Sequence, residues 1–173
     1  MDVFINPYHW TPVYGAWTIN NNKAISASDS LPSASYNLVT YANYNVTMKM
    51  VLPNNTTALL CGIIFRYAAT NNFYFAALSS NGTTAFIQLY HYTNAWYDMT
   101  LLNSVSVAEI RNAVTTLQVI SNGSSIKIYY EGILVLDITD STNNDKTTVG
   151  MQKMLYNGMY DVPIDEFYVY DIV

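Results

Sequence analysis

The last ten residues, 164–173, alternate in the way that an extended strand requires. One side of this segment carries Ile164, Glu166, Tyr168 and Tyr170. The other side carries Asp165, Phe167, Val169 and Asp171. β-Branched and aromatic residues dominate it, as they do in strands. A strand at a chain terminus frays unless a sheet holds it. We therefore predict that this segment pairs within a sheet and that the chain ends inside its fold.

Turn-forming dipeptides divide the remaining sequence into short extended segments. Asn81-Gly82, Asn122-Gly123 and Asn157-Gly158 supply the positive φ angles of tight hairpins, and Glu131-Gly132 is a weaker version. The predicted strands are 17–19, 23–27, 44–52, 59–67, 73–78, 84–92, 96–102, 114–120, 126–130 and 133–138. Only 105–112 could form a helical turn or two, and it could equally be a loop. The sequence therefore predicts an all-β, two-sheet antiparallel β-sandwich of the jelly-roll type.

The segment 114–138 predicts a three-stranded meander with tight turns, whose strands must be antiparallel neighbours. In its last strand, 133–138, both alternating sets carry apolar residues, Ile133 and Val135 in one and Leu134, Leu136 and Ile138 in the other. We therefore expect this strand to be covered on both faces and to lie centrally in its sheet.

Length and composition limit the class of protein. The 173 residues suit one domain, 1–173, and there is no linker or internal repeat. The net charge is −5 and the seven Lys and Arg residues are scattered singly, which argues against nucleic-acid binding. No apolar run approaches the ~18 residues of a membrane span, so membrane insertion is not expected. The one cysteine, Cys61, lies in an apolar run and is predicted to be a buried, inert thiol.

The composition of the polar surface indicates the location of the protein. Charged residues make up only 11% of the chain, so Asn, Ser and Thr must provide most of a nearly neutral surface. Such a surface suits an extracellular protein or one exposed on a virion. No signal peptide is visible, because the segment 1–7 lacks a basic region and an apolar core. Virion proteins assemble inside the host cell and need none, which favours a virion surface over secretion.

Four segments resemble the concanavalin A-like lectin/glucanase superfamily, in its laminin G-like jelly-roll branch. They are Gly62-Ile63-Ile64-Phe65-Arg66-Tyr67 with 71–78, the hairpin 126–135, the pair 140–142 and 148–151, and the closing strand 164–170. With the hairpin around Trp17, the resemblance covers nearly the whole chain and implies a jelly roll. The superfamily includes lectins, carbohydrate-binding modules, adhesion domains, glycoside hydrolases and structural parts of virions. The fold alone therefore does not fix the function.

The resemblance to hydrolase members implies alternate carboxylates on one strand, in a Glu-x-Asp-x-Glu pattern. Glycoside hydrolysis needs two carboxyl groups roughly 5–9 Å apart. The chain has three Glu residues, Glu109, Glu131 and Glu166, and no predicted strand interior carries acids at i and i+2. We therefore predict no catalytic residues and no enzyme. His91, between Tyr90 and Tyr92, is predicted to be a hydrogen-bonded strand histidine.

Calcium is the cofactor that the resemblance raises, because related jelly rolls often bind it with loop oxygens. Asp161, Asp165 and Asp171 are the candidate ligands, and Asp137, Asp140 and Asp145 are an alternative set. The other interpretation is that these acids cap turns and face water. No Asp-x-Asp-x-Asp loop is present, so we expect no resident cofactor, with calcium as the alternative.

The aromatic residues provide the candidate ligand site. Sixteen Tyr, six Phe and three Trp exceed the needs of a core of this size. Sugars stack their C–H faces on aromatic rings, while Asn, Asp and Arg bind the hydroxyls. The candidate glycan-binding patch is Arg66, Tyr67, Tyr74, Tyr90, Tyr92, Asn94, Trp96 and Asp98. The alternatives are core packing of these residues, or a protein–protein interface, where Tyr and Trp are enriched.

Three functions remain compatible with the sequence. We predict a non-catalytic recognition or adhesion module that binds a glycan or cell-surface polysaccharide and is displayed on a virion or cell exterior. The alternative is a purely structural or decorating virion protein that contacts other virion or surface proteins, or copies of itself as a homo-oligomer. A glycan-active hydrolase is the weaker alternative.

Overall fold

The computed structural model describes residues 2–3, 11–14, 17–20, 23–26, 33–38, 42–52, 59–69, 71–81, 83–93, 98–155 and 164–172. For the strands before residue 42, and at position 155, the description is of the backbone only.

The described residues form fifteen strands and no helix. They are β1 (Asp2–Val3), β2 (Thr11–Tyr14), β3 (Trp17–Asn20), β4 (Lys23–Ser26), β5 (Ser33–Leu38), β6 (Tyr44–Val51), β7 (Leu59–Ala69), β8 (Asn72–Ser80), β9 (Ala85–Tyr92), β10 (Met99–Val107), β11 (Val114–Asn122), β12 (Ser125–Tyr130), β13 (Ile133–Thr139), β14 (Thr148–Leu155) and β15 (Ile164–Asp171). The described residues therefore contain no helix that could span a membrane.

The strands form two antiparallel sheets. The first sheet has the order β13-β12-β11-β6-β15-β4-β3, with β1 also paired to β15. The second sheet has the order β10-β9-β8-β7-β14-β5-β2. A core of buried apolar side chains, including Tyr44, Met48, Phe65 and Leu89, fills the space between them. The predicted all-β antiparallel sandwich is confirmed, and so is the pairing of the C-terminal strand.

The strand β15 alternates as predicted, except at its first residue. Phe167 and Val169 are buried in the core, and Glu166, Tyr168 and Tyr170 point away from it. Ile164 is also buried, although its position in the sequence groups it with Glu166. The reason is a register shift against β6 between Ile164 and Glu166, which inserts an extra residue and turns Ile164 towards the core.

The turn at Glu131-Gly132 has the geometry that a two-residue hairpin needs. Glu131 has φ 51° and Gly132 has φ 76°, and their neighbours Tyr130 and Ile133 pair directly. Positive φ at both positions defines a type I′ turn, whose twist matches that of the strands it joins. The predicted meander of β11, β12 and β13 is confirmed.

The expectation that the last strand of the meander is central and covered on both faces is wrong. The strand β13 is the edge of the first sheet, not its centre, and Ile133 (68%) and Leu134 (44%) are exposed. Residues of both alternating sets, Val135 as well as Leu136 and Ile138, nevertheless contact the core, because the pairing with β12 shifts register at Val135. For the segment 105–112, where a helical turn and a loop were both left open, the structure shows the end of β10 at 105–107 and a loop at 108–112.

The predicted burial of Cys61 is confirmed. Its thiol is free and fully buried, and burial raises its pKa to about 12. Since the thiolate is the reactive form, this thiol is inert.

Candidate functional site

The second sheet buries aromatic side chains on both of its faces. Along β8, Tyr74, Ala76 and Leu78 point into the core between the sheets. Phe73 and Phe75 point to the opposite, outer face, where they join a second buried cluster. At these strands the outer face of the second sheet is therefore apolar and buried, and not an ordinary polar exterior.

Five rings form the aromatic part of this cluster, which we call the aromatic layer: Tyr67, which is partly buried, and the buried Phe73, Phe75, Tyr90 and Tyr92. Phe73 stacks on Tyr92 with ring centroids 4.3 Å apart, and Tyr67 lies 5.7 Å from Phe73. Phe75 lies 6.4 Å from both Tyr90 and Tyr92. These spacings are those of attractive ring pairs, so the rings stabilise one another's positions.

The hydroxyl of Tyr92 is fully engaged. Gln152 Nε2 donates a hydrogen bond to it at 3.3 Å, and the hydroxyl donates to Met99 Sδ at 3.3 Å. The ring itself is completely buried. Tyr92 was predicted to contact a ligand directly, and its burial shows instead that it supports the rings around it.

Tyr90 lies at the margin of the aromatic layer and borders a cavity. The cavity has a volume of about 240 Å³, and its walls include Leu60, Ser79, Tyr90 and Met99. The Tyr90 hydroxyl donates to Gln88 Oε1 at 2.9 Å, which places an amide next to the ring. An aromatic wall with hydroxyl and amide groups beside it is the combination that a sugar ring requires.

The strands of the second sheet contain no acidic residue. None of β2, β5, β7, β8, β9, β10 and β14 includes Asp or Glu. Glycoside hydrolysis requires two carboxyl groups at the cleft. These strands cannot supply the pair, so any catalytic acid would have to come from outside them.

Arg66 was predicted to bind ligand hydroxyls, and this prediction is wrong. Its φ of 48° lies in the left-handed region, and the pairing of β7 with β8 shifts register between Phe65 and Ala69. The side chain is fully buried. Because of the irregularity, Arg66 follows Phe65 into the end of the sandwich and not onto the outer face.

The buried guanidinium joins three segments of the chain. It donates to Ser121 Oγ (2.9 Å) and to the carbonyl oxygens of Asp140 (2.6 Å), Thr142 (3.3 Å), Gly123 (2.6 Å) and Ser125 (3.4 Å). The Cζ atom of the guanidinium also lies 5.8 Å from the centroid of the Tyr74 ring. Arg66 thus fastens the β11–β12 turn and the β13–β14 connection to β7.

Tyr74 is likewise buried, so it cannot form part of an exposed patch. Burial, together with the nearby Asp140 carboxylate, raises its pKa to about 12, and the phenol stays neutral. Its ring stacks on the His91 imidazole at 4.5 Å. His91 Nε2 lies 3.2 Å from Asn72 Oδ1, which confirms the predicted hydrogen-bonded strand histidine.

We expect His91 to make stability depend on pH. Burial lowers the pKa of His91, so below about pH 6.5 the unfolded chain binds more protons at this site than the folded protein does. Stability should therefore fall as the pH decreases from about 7 towards 5. In His91→Gln, which keeps a hydrogen-bonding side chain beside Asn72, this decrease should be smaller. Urea midpoints measured across that range test the prediction, and an unchanged slope in the variant would contradict it.

The other predicted site residues are dispersed. Tyr67 packs in the aromatic layer, whereas Asp98 is exposed next to Met99. Asn94, Trp96 and Asp161 lie outside the described residues. Of the predicted glycan-site residues that the structure describes, Tyr67, Tyr90 and Tyr92 come together on the outer face.

The candidate calcium site is wrong for the two ligands that can be placed. Asp165 and Asp171 lie six positions apart on β15, which separates them by about 20 Å at 3.3 Å per residue. One calcium ion needs its ligands within 2.6 Å, so these two cannot share it. Among the described residues, no three His, Cys, Asp or Glu side chains are grouped as a metal site would require.

The sequence prediction missed Phe73, Phe75 and Gln152. The signal that could have found the two phenylalanines is the run Asn72-Phe73-Tyr74-Phe75, which places aromatic residues on both sides of one strand. Gln152 shows no such signal, because its contact with Tyr92 depends on the pairing of β14 with β7.

Comparison with protein-family models and with curated proteins finds no match to this chain. Comparison with solved structures places the fold among the concanavalin A-like jelly rolls. The carbohydrate-binding module CBM66 from Bacillus subtilis aligns with a TM-score of 0.70 at 16% identity, over 94% of this chain and 92% of that one. This likeness concerns the fold and confirms the predicted one.

Two further neighbours show how varied the proteins with this fold are. The CBM2 module of the evolved Dit of Lactobacillus casei BL23 phage J-1 has a TM-score of 0.69 at 10% identity, over 96% and 91% of the two chains. The Bacillus licheniformis beta-glucanase has a TM-score of 0.66 at 16% identity, over 97% and 94%. Binding modules and hydrolases thus share this fold, and the choice between them must rest on the site.

Proposed function

We propose that this protein is a non-catalytic glycan-recognition module. The observation that carries the proposal is the second sheet, whose strands contain no acidic residue and whose outer face ends at the cavity beside Tyr90. The aromatic layer fixes Tyr90 in place, and Gln88 and Ser79 offer groups that can bind sugar hydroxyls. The likeness in fold to CBM66, a carbohydrate-binding module, supports this function.

The proposal includes display on a virion or cell exterior. Support comes from the low content of charged residues and from the likeness in fold to a module of a phage Dit protein. In this setting the module would hold a surface polysaccharide without cleaving it. Detection of the protein on purified particles with an antibody tests the location.

Replacing Tyr90 by alanine should weaken polysaccharide binding about tenfold, because it removes the ring that borders the cavity and its hydrogen bond to Gln88. Affinity gel electrophoresis against a panel of soluble polysaccharides measures the change. Tyr90→Phe keeps the ring, so its affinity for the polysaccharide should decrease less than that of Tyr90→Ala. Ile133→Ala, at an exposed position on the edge of the other sheet, is the matched control and should bind as the wild type does.

A wild-type protein that binds no polysaccharide in the panel would contradict the proposal. Release of reducing sugar by the purified protein would contradict its non-catalytic part. The acid responsible would then have to lie outside the strands of the second sheet.

A structural or decorating role is the second candidate, and the two edge strands favour it. On β10, Leu101 and Leu102 are exposed, and on β13, Ile133 and Leu134 are exposed. Apolar residues on unpaired strand edges are typical of contacts with other proteins. Light scattering that shows a monomer, combined with no affinity for particle proteins, would count against this role.

A further inference from the structure

The outer face of the first sheet carries an ordered row of polar and aromatic side chains. Strand pairing sets Tyr129 beside Gln118, Gln118 beside Thr47, and Thr47 beside Tyr168. All four belong to the outward-facing sets of β12, β11, β6 and β15, because the alternate residues of these strands form the core. With strands about 4.8 Å apart, the row spans about 14 Å.

A second row runs beside the first and adds another ring. Pairing sets Ile120 beside Asn45 and Asn45 beside Tyr170. The rings of Tyr168 and Tyr170 lie 6.2 Å apart and nearly parallel, at 25°, and Tyr170 is 37% exposed. Gln118 Nε2 donates to Asn45 Oδ1 at 3.0 Å, which holds the two amides between the rows. We call Asn45, Thr47, Gln118, Tyr168 and Tyr170 the β15 platform.

Two ion pairs lie beside this platform. Lys49 forms an ion pair with Glu166, and Lys127 lies 3.8 Å from Asp137. The Lys49 Nζ atom also lies 5.9 Å from the centroid of the Tyr168 ring. Two cations are thus balanced by two anions on the same face. A polyanion such as a sulfated glycan or a nucleic acid gains nothing from this arrangement, whereas an uncharged ligand matches it.

We propose that the β15 platform is a second binding site, and that it takes an uncharged glycan chain. The two parallel tyrosine rings offer a surface for the C–H faces of consecutive sugars. The amides of Asn45 and Gln118 and the hydroxyl of Thr47 can exchange hydrogen bonds with the sugar hydroxyls. This site goes beyond the proposed function, since it lies on the opposite sheet from the cavity at Tyr90. Two sites on one module would increase the avidity for a repeating polymer.

Variants at each site, alone and combined, test the proposal. The probes are uncharged soluble polysaccharides (a β-glucan, a galactomannan and a levan), with dextran sulfate as the charged comparator, all in affinity gels. The platform variant is Tyr168→Ala/Tyr170→Ala, and the cavity variant is Tyr90→Ala. Ile133→Ala/Leu134→Ala substitutes two exposed residues at the edge of the same sheet and is the matched control. Thermal melting confirms that each variant is folded.

We expect the platform variant to bind an uncharged polysaccharide about three- to tenfold more weakly than the wild type. Tyr90→Ala alone should keep some binding of the polysaccharide. The triple variant, which adds Tyr168→Ala and Tyr170→Ala, should lose that remaining binding. If the platform substitutions change nothing in either background while Tyr90→Ala weakens binding, the second site is wrong and the cavity at Tyr90 stands. If they abolish binding while Tyr90→Ala has no effect, the second site stands and the cavity proposal fails. Tighter binding of dextran sulfate than of every uncharged probe, or no binding by the wild type, would overturn the second site.

Discussion

Arg66→Ala is expected to lower the free energy of unfolding by more than about 3 kcal/mol. The substitution removes a fully buried side chain that donates to Ser121 and to four backbone carbonyls. Each of these acceptors would lose its charged donor, and the missing side chain would leave a cavity in the end of the sandwich. Urea denaturation followed by intrinsic fluorescence measures the loss.

Arg66→Lys shows which property of arginine is needed. Lysine keeps the positive charge but lacks the planar fork that reaches several acceptors at once, so we expect it to be nearly as damaging. Lys49→Ala is the control, because it removes a cation whose ion pair with Glu166 is exposed, and it should cost less than about 1 kcal/mol. A cost for Arg66→Ala as small as that of the control would show that the hydrogen bonds at Arg66 contribute little.

Gly62→Ala is expected to cost more than about 3 kcal/mol or to prevent folding. A Cβ atom at this position would lie 2.0 Å from the carbonyl oxygen of Ala76 and 2.7 Å from the Cα atom of Ala77. Both atoms belong to the backbone of β8, which pairs with β7 at this point. A backbone held in the middle of a sheet cannot move aside as a flexible side chain can. The yield of soluble protein and its urea midpoint give the result.

Gly132→Ala is the matched control for this substitution. A Cβ atom at Gly132 meets nothing within 4 Å, so only the positive φ of 76° opposes alanine there. That strain costs about 1–2 kcal/mol. If Gly62→Ala proves no more damaging than Gly132→Ala, then β7 and β8 separate more easily than their pairing indicates.

The candidate site was predicted in part, and the reason lies in how each residue is placed. Tyr67, Tyr90 and Tyr92 do share the outer face of the second sheet. Arg66 and Tyr74 were grouped with them because their side chains are of the types that bind sugars, yet both are buried inside. For Arg66 the cause is one backbone residue at positive φ, which reverses the face that alternation predicts. Such an irregularity has no signature in the order of polar and apolar residues.

The sequence by itself determined that this chain is an antiparallel sandwich. Alternation along β15, hairpin turns such as Glu131-Gly132, and the small share of charged residues are local or compositional properties, and local rules are sufficient to interpret them. Only the tertiary structure decided that Arg66 is an internal anchor, that β13 is an edge, and that Tyr168 lies in line with Thr47, Gln118 and Tyr129. These facts depend on which strands pair and in what register. Pairing between residues far apart in the chain is set by the packing of the whole core, which no short segment encodes.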